Sequence, residues 1–211
     1  MDNKVIKKRN KWDEETIIEK GREMFSEKGF DLSMRDIAKS LDTQASSLYR
    51  HVQSKRELWF AITIKDFEEF GEGMSEIARK HFGKPSDLLK KIAFYFLDFA
   101  REDFNRFKLM FLYEPPKDDK IGPYEQACNP DSLTYLIEFC DLLIKDEQLI
   151  NIKAEELAIL YYSQLLGYAI INSPINDYLL DQESFASIKN PDFDKFMVNT
   201  IVQNFTKFKK Q

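Results

Sequence analysis

The chain has 211 residues, 43% hydrophobic and 32% charged, which allows one compact body or two small domains. Gly and Pro number only 7 each, which argues against the frequent turns of a sandwich or barrel and for long helices. The net charge of −5 disfavours a general polyanion binder, but residues 1–60 carry 13 Lys+Arg against 11 Asp+Glu, while the remaining 151 carry 18 against 25.

Residues 1–11 alone hold five cations and one acid. An acidic body with a basic end implies that a polyanion would meet only that end, although an ordinary solvated tail has the same composition. "MDNKVIKKRN" has no apolar run behind it, so it does not read as a secretory signal. The most apolar stretch, Leu157 to Ile171, is interrupted by Ser163, Gln164 and Gly167 and falls short of a membrane span. A cytoplasmic protein with no membrane partner is expected, with Cys128 and Cys140 as reduced thiols.

The first helix is expected to open on Asp13 as N-cap and to end at Gly29 as C-cap. Ile17, Ile18, Gly21, Met24 and Phe25 form its apolar stripe. Ser33 caps a second helix, with Asp36 three residues on as a short capping box, and Met34, Ile37, Ala38 and Leu41 repeat the helical spacing. Ala45, Leu48, Tyr49 and Val52 mark a third helix. Ser54 and Glu57 read as a full S-x-x-E capping box opening a long fourth helix to about Phe82. Leu88–Arg101 and Phe104–Tyr113 follow, stopped by Pro115-Pro116. "EPPKDDKIGP" reads as a polar loop, and helical patterns resume over Tyr124–Asp146, Ala154–Asn172 and Asp192–Lys209. No segment alternates as a strand does. The fold class is all-α: three small N-terminal helices joined through a long one to a larger bundle, with domains at 1–54 and 55–211.

Only Leu41-Asp42-Thr43 separates the second helix from the third. So short a link forces a steep crossing, the helix-turn-helix geometry, and Asp42 sits where Gly would be easiest. In such a pair the second helix enters the major groove by its N-terminal end. Gln44 suits adenine; Ser46 and Ser47 suit a base edge or a phosphate; Tyr49 and His51 reach either. The helix start at Ser54-Lys55 offers free N–H groups and a cation to a phosphate. Each has a plainer reading: Leu48 and Tyr49 as core, Arg35 as a surface ion-pair residue, His51 as a helix-end cation.

The stretch "LSMRDIAKSLDTQASSLYRHVQSKREL", preceded by "GREMFSEKGF", resembles the TetR family of transcriptional regulators. The match covers about the first 65 residues and is closest in "LYRHVQSKR". Beyond them only the helical layout and the late apolar "AEELAILYYSQLLGYAII" are similar. The resemblance implies that Ser33, Tyr49 and Lys55 bind phosphate and that Arg35 reaches a guanine edge. It places Ser47 and His51 near bases or backbone, and Ala45 and Ser46 at base-facing positions. Asp42 stands in place of the family's usual Gly and Thr43 of a Val-like residue, and Ala45 removes a polar reader, so no relative's operator is inherited.

Leu157, Leu160, Tyr161, Leu165 and Tyr168 cover one side of a late helix, and Ile159, Tyr162, Leu166 and Ile170 another. A helix apolar nearly all round is buried on both sides. With Phe193, Met197, Ile201, Phe205 and Phe208 these stripes are expected to form a homodimer surface over Ala154–Asn172 and Asp192–Lys209, or else intrachain core. The resemblance further implies an unidentified small-molecule effector that acts through the long helix. Tyr95, Phe99, Phe107, Met110, Phe111, Tyr135, Phe139 and Tyr162 are the candidate walls of an apolar pocket for a lipophilic or aromatic ligand, though each alone fits plain bundle core. No cofactor and no metal are expected: Cys128 and Cys140 are not at metal-ligand spacing, and no H-x-x-x-H pattern exists. No Ser-His-Asp set, phosphate loop or paired-carboxylate pattern marks an enzyme. The expected function is a ligand-responsive regulator, a repressor binding a palindromic duplex DNA operator. The alternatives are an all-α carrier or partner-binding protein without DNA function, and a chromosome-organisation factor that uses the same head.

Overall fold

The computed structural model describes residues 12–28, 31–118, 120–128, 132–146, 149, 151–173, 191–205 and 208. Among these residues there are helices and no strand, the all-α class that the helical periodicities imply. The basic arm at 1–11 and the Gly29 C-cap lie outside the described residues. The helices are α1 (Glu14–Lys28), α2 (Met34–Ser40), α3 (Ala45–Leu48), α4 (Lys55–Arg79), α5 (Pro85–Glu102), α6 (Phe104–Phe111), α7 (Pro123–Ala127), α8 (Ser132–Asp146), α9 (Ala154–Ile171) and α10 (Pro191–Phe205).

Two compact units result: Met1–Glu68 with Lys108–Cys128, and Glu69–Phe107 with Asn129–Gln211. In the first, Asp13 caps α1, its Oδ1 accepting from the Thr16 N–H at 2.9 Å. The buried face of α1 is Ile17, Ile18, Gly21, Met24 and Phe25. A Cβ on Gly21 would stand 3.0 Å from Leu58 Cδ2, so α1 and α4 cross where one of them lacks a side chain. Ile37, Leu48, Val52, Leu58 and Ile62 complete the core with at most 1% exposure. Arg22 on α1 pairs with the fully buried Asp66 on α4.

The first unit also contains residues 108–128, beyond the head expected at 1–54. Leu109 is buried in the same core cluster, and Tyr113, Tyr124 and Cys128 pack against it. The "EPPKDDKIGP" stretch is a largely exposed loop, as expected, but one anchored to the head: the Pro116 carbonyl accepts from Arg56 Nη1 at 3.0 Å, and Gly122 is buried. The helix expected at Tyr124–Asp146 is two elements, α7 and α8. Pro123 fits the first turn of α7, where its missing N–H costs nothing.

In the second unit α5, α8, α9 and α10 pack together. Tyr161 on α9 donates to the Leu89 carbonyl at 2.7 Å, and Arg101 and Tyr168 converge on the buried Asp194, each at 2.5 Å. Leu157, Ala158, Tyr161, Leu165, Tyr168 and Ala169 are the buried side of α9. Leu160, assigned from spacing to that side, is 37% exposed, and Ile159 and Ile171 are more so at 53% and 52%. On α10 the inward residues are Val198, Ile201, Val202 and Phe205, so Ile201 and Phe205 of the expected dimer stripe belong to intrachain core. The outward apolar residue there is Phe196, 58% exposed. The 3.6-residue turn explains the difference: a buried face this wide takes in neighbouring rows that a one-row stripe assigns elsewhere. Among the described residues no helix is long and apolar enough to cross a membrane.

Candidate nucleic-acid interface

The interface is built by the turn between α2 and α3. Ser33 Oγ accepts from the Asp36 N–H at 3.2 Å while Asp36 Oδ2 accepts from the Ser33 N–H at 2.9 Å, the reciprocal capping box. The other end of α2 closes by a Schellman motif: the Thr43 N–H reaches the Ala38 carbonyl at 2.9 Å and the Asp42 N–H the Lys39 carbonyl at 3.1 Å. That motif requires a left-handed residue, and Asp42 supplies it at φ 50°. The chain thereby turns at once from α2 into α3, and Gln44 becomes the N-cap of α3 without a side-chain cap bond.

The third helix is shorter than its spacing implies. It runs over Ala45–Leu48, and hydrogen-bonded turns carry the backbone through His51. Leu48 and Val52 are buried. Ala45 is half-buried: it packs on the core cluster on one side and lines the groove between α2 and α3 on the other. Ser46 is exposed and Ser47 half-buried. Tyr49 is 50% exposed, which sets aside its plainer reading as a core residue. Arg35 and Gln44 are exposed, and with Lys39, Asp42 and Thr43 they line an open groove between α2 and α3. Ser33 is exposed at the start of α2 and His51 is half-buried after α3.

Lys55, the first residue of α4, extends over the Phe25 ring at 5.7 Å. Burial draws its ammonium below the usual lysine range, and Asp31 partly restores it. Ser54 Oγ accepts from the Glu57 N–H at 3.1 Å, but the return arm of the expected capping box is missing. Glu57 is instead buried and accepts from the Tyr124 N–H at 2.8 Å. Sequence spacing pointed to the cap; the partner 67 residues away had no local signal.

The candidate pocket residues are divided between the two units. Tyr95, Phe99, Phe107 and Tyr162 share an aromatic cluster through Phe70 and Phe96, two hubs the sequence reading missed. Phe70 meets Tyr95 at 5.2 Å and Phe99 at 5.0 Å; Phe96 meets Phe107 at 5.3 Å and Tyr162 at 6.4 Å. Met110 and Phe111 belong to the first unit, Phe111 edge-on to Phe67 at 5.3 Å. Tyr135 is 77% exposed, and Phe139 is half-buried. A cavity beside Leu97 and Ala169 is about 10 Å³, no more than a water needs.

A basic and hydroxyl-bearing surface on a helix-turn-helix defines a DNA-binding head. Residues 17–62 match the family of bacterial regulatory proteins described as tetR family. Solved structures similar over nearly the whole chain include a protein of unknown function from Rhodococcus sp. RHA1, 13% identical over 92% of this chain and 95% of that one, TM-score 0.68. A single-residue variant of TetR from Acinetobacter baumannii AYE, solved with minocycline, is 19% identical over 95% and 100%, TM-score 0.60. AibR, solved with isovaleryl coenzyme A and operator DNA, is 19% identical over 92% and 98%, TM-score 0.58. At these identities the likeness is of fold. No curated protein matches in sequence. The head at 17–62 is thus a DNA-binding domain of the tetR family of bacterial regulatory proteins, and the chain as a whole shares the fold of these structures.

Proposed function

We propose that the chain is a ligand-responsive repressor that binds a palindromic operator as a homodimer. The observation that carries this reading is the exposed set Ser33, Arg35, Gln44, Ser46 and Tyr49 about a turn closed by Asp42, with Lys55 held alongside. In this reading residues 1–54 supply the base and phosphate contacts, and 55–211 supply dimerisation and the effector site. Ser33, Tyr49 and Lys55 take phosphates, Arg35 a guanine edge, and Gln44, Ser46, Ser47 and His51 the bases or backbone nearby. The operator bound by AibR supports a DNA partner.

A single small head binds duplex weakly, since phosphate contacts fall off steeply with salt; two heads on one dimer gain by avidity. The outward apolar residues Ile159, Ile171 and Phe196, with Gly167 open to solvent, are the surface proposed for the partner copy. An effector, lipophilic or aromatic, would part the rings around Phe70 and Phe96 and shift α4, which carries Phe70 and opens at Lys55. It acts only by binding the two states unequally.

The test is enrichment from a genomic-fragment pool by wild type and by Tyr49→Ala/Lys55→Ala. A palindromic site enriched by wild type alone is expected. A folded, dimeric wild type that enriches nothing would overturn the proposal.

A further inference from the structure

Resting on the DNA-binding reading, the geometry points to a second, non-contacting part of the DNA head: residues 113–128 clasp the first turn of α4 and hold Lys55 against its phosphate. Three ties converge within that turn. Arg56 grips Glu125 with both nitrogens, Nε to Oε2 at 2.7 Å and Nη2 to Oε1, while its third nitrogen donates to the Pro116 carbonyl. This fork matches a carboxylate as no lysine would. The pairing raises Arg56 above and lowers Glu125 below their ordinary ranges, hydrogen bonding being the larger cause in both. Glu57, the next residue, is buried with one oxygen on the Tyr124 N–H and the other against Gly122. A Cβ at position 122 would fall inside that carboxylate, although the backbone there, at φ −91°, tolerates any residue. Glycine is therefore required by space and not by conformation. Tyr124 then donates its phenol to Glu14 on α1, which pushes the phenol up to about 12.

Arg56 and Glu57 follow Lys55 directly, and α4 is regular from Lys55 onward. Fixing two consecutive residues of a helical turn fixes the third. Without the clasp, Leu58 still packs against Gly21, Ser54 Oγ still accepts from the Glu57 N–H and Phe25 still lies beneath Lys55, so the clasp sharpens the placement of a turn that the core already anchors. Arg56, Glu57, Gly122, Tyr124 and Glu125 are thus positioning residues for phosphate binding, and none of them needs to touch DNA.

The sign of one substitution separates this from simple electrostatics. Glu125→Gln removes an acid and frees Arg56; if charge alone mattered, affinity for a polyanion would rise. The clasp requires it to fall. The experiment measures binding of a fluorescent mixed-sequence duplex by wild type, Glu125→Gln, Gly122→Ala and Lys55→Ala, and by each clasp variant combined with Lys55→Ala, over a salt series. Each clasp variant is expected to weaken binding on the order of tenfold, the scale of one charge-assisted hydrogen bond. Each is expected to flatten the log–log salt slope by about 0.9, as loss of one phosphate contact does. Adding Lys55→Ala to either clasp variant is expected to cost nothing more. Release is followed independently by DTNB: Cys128, packed on the head core, reacts faster in the clasp variants, while buried Cys140 stays silent and shows that the second unit keeps its fold; an unchanged helical circular-dichroism signal shows the same of the whole chain. Unchanged or tighter binding by Glu125→Gln, or a Lys55→Ala effect that simply adds, overturns the clasp while leaving the regulator reading in place. A wild type that binds no duplex at low salt ends both.

Discussion

Asp42 offers the most direct test of how the recognition turn is made. It holds φ 50° at the C′ position of α2, is exposed, and lies on the rim of the groove lined by Arg35, Lys39 and Gln44. A left-handed L-residue costs about 1–2 kcal/mol, with Asp near the lower bound because its short polar side chain suits the region. Glycine removes that cost but adds roughly 0.5–1 kcal/mol of unfolded-chain entropy. Asp42→Gly is therefore expected to stabilise by about 0.5 kcal/mol, and Asp42→Ala to destabilise by about as much or more. The two then differ by roughly 2–4 °C in Tm, since about 1 kcal/mol moves a chain of this size by that amount. The charge is separable: Asp42→Asn keeps a residue tolerant of this φ and loses the carboxylate. On duplex binding, Gly, Asn and Ala variants should all tighten together, because each removes an anion facing phosphate. Melting curves and duplex anisotropy on the same four proteins decide both points. An alanine variant as stable as the glycine variant would refute strain at the turn. An asparagine variant that binds no tighter than wild type would refute Asp42 facing the DNA.

Three further outcomes are expected. Asp13 and Asp36 are held below the usual carboxylate range by hydrogen bonds from Thr16 and Ser33, so their contribution is present above the unfolded value near 3.9 and is lost as pH falls through the folded values; Asp36→Asn should reduce the stability difference between neutral pH and pH below about 4, read by urea melts, and an unchanged difference would count against the caps. Arg22→Ala should destabilise more than Asp66→Ala, within the roughly 3–5 kcal/mol range of broken buried pairs, because it strands a fully buried carboxylate whereas Arg22 keeps 29% side-chain exposure; equal losses in denaturant titrations would sink this asymmetry. Gly71 and Gly73 on α4 should respond in opposite directions to alanine: Gly71 faces open space and should gain about 0.8–1 kcal/mol of helix propensity, while a Cβ on Gly73 runs into the Tyr95 hydroxyl that donates to the Phe70 carbonyl at 3.3 Å. Thermal melts of the two variants that move the same way would contradict the packing described.

Local chemistry was legible in the residues. The Ser33–Asp36 box, the Asp13 cap, the left-handed Asp42 and the stripe of α1 are set by neighbours within about one helical turn, and short-range sterics and hydrogen bonds decide them before any tertiary contact forms. The resemblance over the head rests on the same stretch. Tertiary structure decided what depends on partners far along the chain. Glu57 left its own N-cap for the Tyr124 N–H because a buried carboxylate goes to the donor that satisfies it after desolvation. Ala45 is half-covered by the core cluster, which leaves Ser46 the more exposed residue at the start of α3. The eight aromatic and apolar candidates parted into a cluster around Phe70 and Phe96, two head-unit residues, a half-buried Phe139 and an exposed Tyr135. Hydrophobic periodicity says that a side chain will be covered, but carries no term for which distant side chain covers it. The tie between residues 113–128 and the start of α4 is of that kind: every residue in it is plain in the sequence, and only the folded chain brings them together.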